Sequence, residues 1–137
     1  MSVDLPEYYF RIRENGAFVF RVDTENRQRR IEMDQIAAVN IKNGEIKPQG
    51  GRELSTEDMR VIEEWMAERI ALLAKRDIDD IHRAIDYLNL TAHWAQTRGT
   101  DDQLENITDA LLLAMHDLRT VLVRKKADRL MKERDGA

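Results

Sequence analysis

A helical apolar pattern runs from Ser55 to Arg134 and breaks at one place, Arg98, Gly99 and Thr100. Gly99 stands where a helix C-cap takes a left-handed residue, and Thr100 with Gln103 three residues on makes a capping box. The break therefore predicts a tight corner between two long helical arms, about 56–98 and 101–133. In the first arm Ser55 and Asp58 signal the start, and Met59, Ile62, Met66, Ile70 and Leu73 recur at spacings of three and four. The series resumes at Ile78, Ile81, Ile85, Leu88, Ala92 and Ala95 after a step of five. That step predicts a continuous or barely kinked rod, with a break at Lys75–Asp77 as the alternative.

In the second arm Leu104, Ile107, Leu111, Ala114, Leu118, Val121 and Leu122 form a heptad-like seam suited to antiparallel packing on the first arm. Further apolar residues lie off these stripes: Tyr87, Leu90 and Trp94 on the first arm, and Leu112, Leu113 and Val123 on the second. One seam cannot bury both sets. Nor can a small sheet, since the second arm is roughly 50 Å long and a sheet of short strands covers about 20 Å of it. These six residues are the expected interface of a homodimer, a four-helix bundle with two-fold symmetry.

Before the arms the period is two. Tyr8, Phe10 and Ile12 share one face of a first strand, and Phe18, Phe20 and Val22 one face of a second. To bring both faces to one side the loop must be odd, so Glu14, Asn15 and Gly16 form a three-residue turn with Gly16 left-handed, pairing Ile12 with Phe18. A turn centred on Asn26 and Arg27 then pairs Val22 with Ile31, and Asn43 with Gly44 forms a type I′ turn that pairs Ile41 with Ile46. Pro48, Gly50 and Gly51 mark residues 47–54 as a linker. The fold class is α+β, with an N-terminal antiparallel β-meander of about four strands over residues 1–52 and a long antiparallel helical hairpin over 53–137. The outer sheet face carries Tyr9, Arg11, Arg13, Val19, Arg21 and Arg30, with Arg21 opposite Glu32. A basic platform with an aromatic is what single-strand nucleic-acid readers use, but cross-strand charge pairs are its ordinary explanation.

Charge is unevenly spread. Residues 1–52 hold 9 basic and 8 acidic side chains, residues 53–109 hold 6 and 14, and residues 110–137 hold 7 and 4. An acidic helical body disfavours nucleic acid as a general partner, and the basic end of the second arm complements a helix dipole. With no cysteine, no apolar run of membrane length and no basic-then-apolar start, the expectation is a soluble cytoplasmic protein without disulfides.

The chemistry-bearing residues are few. Asp79, His82, Asp86 and His93 share one helix face, and Asp109, His116 and Asp117 lie on the second arm. Carboxylate and imidazole at such spacing are what a metal site in a bundle uses. However, His82 and His93 are 11 residues, about 16 Å, apart and cannot share an ion. No metal or other cofactor is therefore expected. A metal-dependent hydrolase using Asp79, His82, Asp86 and His116 is one alternative reading, and a nucleic-acid binder using the sheet face is another. The expectation preferred over both is a non-enzymatic interaction, assembly or regulatory protein, partnered by itself and by another protein.

Overall fold

The computed structural model describes residues 5–23 and 31–136. Four strands, β1 (Tyr8–Arg13), β2 (Gly16–Val22), β3 (Met33–Asn40) and β4 (Glu45–Pro48), form an antiparallel sheet in the order β1-β2-β3-β4. A single 3-10 turn over Gln49–Gly51 leads to α1 (Thr56–Thr97) and α2 (Asp101–Asp135). The α+β meander followed by two long helices is the architecture expected, and α1 runs unbroken for 42 residues. Among the described residues no helix is long and apolar enough to cross a membrane. The chain divides into two compact units, residues 1–80 and 81–137, so the first half of α1 belongs with the sheet.

The register differs from the expectation, and the reason is physical. Arg13 pairs with Gly16 and Ile12 with Ala17, leaving a two-residue loop of Glu14 and Asn15. Tyr8, Phe10 and Ile12 therefore share a face with Ala17 and Val19, while Phe18 and Phe20 point the other way with Tyr9, Arg11 and Arg13. The three-residue loop and the single common apolar face are thus overturned. The buried cluster beneath α1 comprises Ala17, Val19, Ile36, Ala37 and Val39 from the sheet with Ile62 and Met66 from the helix. Short side chains in the middle of the sheet let the helix approach. The bulkier Phe18 and Phe20 lie on the opposite face, away from the helix. Val19, expected on the outer face, is fully buried.

A β-bulge continues the pattern. Val19 pairs with Ala37 and Phe20 with Gln35, leaving Ile36 as the extra residue of β3. Ile36 and Ala37 both join the core, since a bulge turns two neighbouring side chains toward one side. Val22 meets Met33, not Ile31, and Arg21 meets Asp34, not Glu32. The turn at Asn26 and Arg27, and Arg30 with it, lie outside the described residues. At the next connection Ile46 pairs with Val39 instead of Ile41, so the loop is four residues, Ile41 to Gly44. Gly44 has the positive φ expected of it, 75°. The turn is built by Asn40, whose carbonyl accepts from the Gly44 N–H and whose side chain accepts from the Lys42 N–H.

Gly16 and Gly99 were both expected to be left-handed, and neither has a positive φ. Gly16 is needed for another reason: a Cβ there would stand 1.8 Å from the carbonyl oxygen of Val39. At Gly99 a Cβ would meet Leu104 Cδ2 at 3.1 Å and Trp94 Cη2 at 3.4 Å, so closeness of side chains shapes the corner. The Arg98 and Gly99 N–H groups both donate to the Trp94 carbonyl, closing the end of α1. Across the corner the capping box is complete: Thr100 Oγ1 accepts from the Gln103 N–H, and Gln103 Oε1 from the Thr100 N–H.

Candidate interaction surface

Among the described residues of the first unit the polar side chain most deeply set is Asp58. It closes the N-terminus of α1 as a reciprocal box, accepting from the Ser55 N–H while the Ser55 hydroxyl accepts from the Asp58 N–H. Its other oxygen accepts from the Tyr8 hydroxyl at 2.5 Å and faces the Arg21 guanidinium at 3.5 Å. Burial alone would raise its carboxyl pKa, but the hydrogen bonds from Tyr8 and Ser55 and the charge of Arg21 hold it below the usual carboxylate range. Burial, with the carboxylate it donates to, pushes the Tyr8 hydroxyl up to about 12. This network pins β1 and β2 to α1, and its partners are satisfied within the fold. Sequence reading recognised Ser55 and Asp58 as a cap. It put Arg21 on the outer face because it assumed the wrong register.

The outer sheet face is basic and aromatic, and two of its aromatics, Phe18 and Phe20, lie under arginines, while Tyr9 is exposed. The Arg11 guanidinium lies 4.5 Å from the Phe20 ring centre, and that of Arg13 5.0 Å from Phe18. Phe20 is consequently buried although no helix covers it. Trp65, on the opposite side, stacks on Phe10 at 4.5 Å and belongs to the core.

The carboxylate and imidazole residues do not converge. Asp79, His82, Asp86, His93 and His116 are all exposed. His116 Nδ1 lies 3.5 Å from the neighbouring Asp117 carboxylate. Among the described residues no three His, Asp or Glu side chains are placed to hold a metal ion.

What stands out is the second unit. No residue of α2 is buried. Tyr87, Leu90, Leu112, Leu113 and Val123 are between 55% and 69% exposed. Trp94 differs from these five: it is partly covered and its ring packs at the corner beside Gly99 and Leu104. The seam of α2 is also open to solvent: Leu104 and Leu111 are partly covered, while Leu118 and Leu122, and Met115 beside them, are about half exposed. Leu130 and Met131, which the apolar pattern had not singled out, extend the exposed apolar surface toward the end of the helix. A helix of this apolar content is ordinarily anchored by burying a stripe, so this surface is the candidate interaction surface of the chain. Comparison with family models, with curated proteins and with solved structures finds no match to this chain.

Proposed function

We propose that the protein works by binding and not by catalysis, as an assembly, adaptor or regulatory protein whose helical unit is completed by a second copy of the chain. The observation that carries this reading is the absence of any buried residue along the 35 residues of α2, despite its leucines, valines and methionines. Hydrophobic burial contributes roughly 25 cal/mol per Å², so an isolated helix in this state leaves much of its available stabilisation unused. A two-fold pairing of helical units supplies the missing cover. The open seam of α2 contributes apolar area to it, together with Tyr87, Leu90, Leu112, Leu113 and Val123 off that seam, and a symmetric bundle is the ordinary way to bury such surface. The sheet, anchored on the first half of α1, is then left free to present its edges and outer face to another protein. Light scattering or sedimentation at micromolar concentration tests the first step. Twice the 16.0 kDa mass of one chain is expected, and a mass of 16.0 kDa overturns the reading.

A further inference from the structure

We infer that α2 pairs antiparallel with α2 of the second copy, centred near position 113, so that the acidic start of each helix lies along the basic stretch of the other. This rests on the self-association proposed above and specifies its geometry. Two independent features of α2 lead to it.

The first is where its apolar seam stops. From Leu104 the seam runs through Ile107, Leu111, Ala114, Leu118 and Val121 to Leu122, with Met115 beside it, and the positions that continue it, Lys125, Asp128, Arg129 and Lys132, are all charged. The apolar part thus spans residues 104–122, and two copies overlap it fully only when Leu104 of one lies against Leu122 of the other. In an antiparallel pair that sets the centre at position 113. Residues along and beside it are available for such a contact, since Met115, Leu118 and Leu122 are 47%, 54% and 59% exposed.

The second is the charge on either side of that seam. Residues 101–118 carry five acidic side chains and no Lys or Arg, whereas 119–135 carry seven basic and three acidic ones. Asp101 and Asp102 are in the first turn, where the helix dipole accounts for them. It does not account for Arg124, Lys125 and Lys126, which lie more than two turns before the helix ends at Asp135, because the dipole acts only over the last turn. In the antiparallel register Asp101 and Asp102 fall opposite Lys125 and Arg124, at both ends of the pair. A parallel pair would set acid against acid and base against base, which opposes association.

The chain has no cysteine, so single cysteines report the geometry directly. In the full-length protein, opposed Met115 residues would be offset by about 6 Å along the axis, Ile107 residues by about 18 Å and Leu118 residues by about 15 Å, at a rise of about 1.5 Å per residue. With a short bismaleimide, Met115→Cys is expected to link to itself. Ile107→Cys and Leu118→Cys are expected to link only when mixed. Self-linking of Ile107→Cys overturns the proposal in favour of a parallel pair. A doubled mass with none of these links also overturns it, while leaving self-association standing. A single-chain mass removes both readings together. A second measurement does not depend on cysteines: Arg124→Glu with Lys125→Glu should weaken self-association about tenfold, the sum of a few charge pairs. Adding Asp101→Lys and Asp102→Lys to the same chain should restore it. Failure of that rescue, in chains that keep their helical circular dichroism, counts against the antiparallel register.

Discussion

The two units of this chain use apolar residues in opposite ways. In residues 1–80 the apolar side chains meet one another: Val19, Ala37 and Ile62 are wholly enclosed, and Asp58, the one deeply buried charge among the described residues, has its partners at Tyr8, Ser55 and Arg21. In residues 81–137 helices of similar apolar content leave nearly every leucine and isoleucine open to water. The difference lies in what each element faces. A sheet offers a broad surface that one helix can cover, whereas a lone helix closes its stripe only against something else of comparable length. Stability of the first unit should therefore be a property of one chain, and that of the second should depend on how many chains are present.

The largest expected effect is at Gly16. A methyl group there would overlap the Val39 carbonyl, so Gly16→Ala should force β2 and β3 apart and cost more than about 4 kcal/mol in chemical denaturation, a range reserved for such clashes. A loss below about 1 kcal/mol would mean that the strands do not approach so closely. Next comes Ile62→Ala, which empties a fully buried site and should cost about 3 kcal/mol at every protein concentration. A concentration-dependent loss would contradict a core closed within one chain.

The Tyr8–Asp58 hydrogen bond predicts a pH dependence with a definite sign. The Tyr8 hydroxyl is raised in the folded state from an ordinary value near 10 to about 12. Its contribution is fully present below pH 10 and disappears as the pH rises through about 12. Asp58 is held below its ordinary value, so its contribution is present above about pH 4 and is lost as the pH falls through the folded-state pKa. Unfolding followed from pH 9 to 12 should show a steeper loss in the native chain than in Tyr8→Phe, and equal slopes would refute the assignment.

Smaller effects belong to the second unit. Gly99→Ala should cost less than about 1 kcal/mol, because the new methyl meets the movable end of Leu104 and not a backbone atom. A loss of about 2 kcal/mol or more would show that the backbone at 99 is strained after all. Leu122→Ala should change the unfolding of the dilute chain by less than about 0.5 kcal/mol, as for any exposed side chain, and by more as copies associate. An effect that does not vary with concentration would show Leu122 to be covered within its own chain.

Local signals settled much of this molecule before any contact was considered. The capping box at Thr100 and Gln103, the cap at Ser55 and Asp58, the positive φ of Gly44, the length of α1 and the α+β order of elements all rest on interactions within a few residues of one another. They follow from spacing alone. Register and facing did not. Whether Phe20 or Val19 points at α1 depends on which one a helix can approach, and small side chains won because they admit Ile62 and Met66 at close range. That choice carried the β1–β2 loop, the place of Arg21 beside Asp58 and the role of Gly16, since a shift of one residue exchanges every side chain between the two faces. At Gly99 the sequence correctly marked the corner and mistook its cause. The glycine makes room for Leu104 and Trp94, a requirement set by side chains that meet only once the chain has turned.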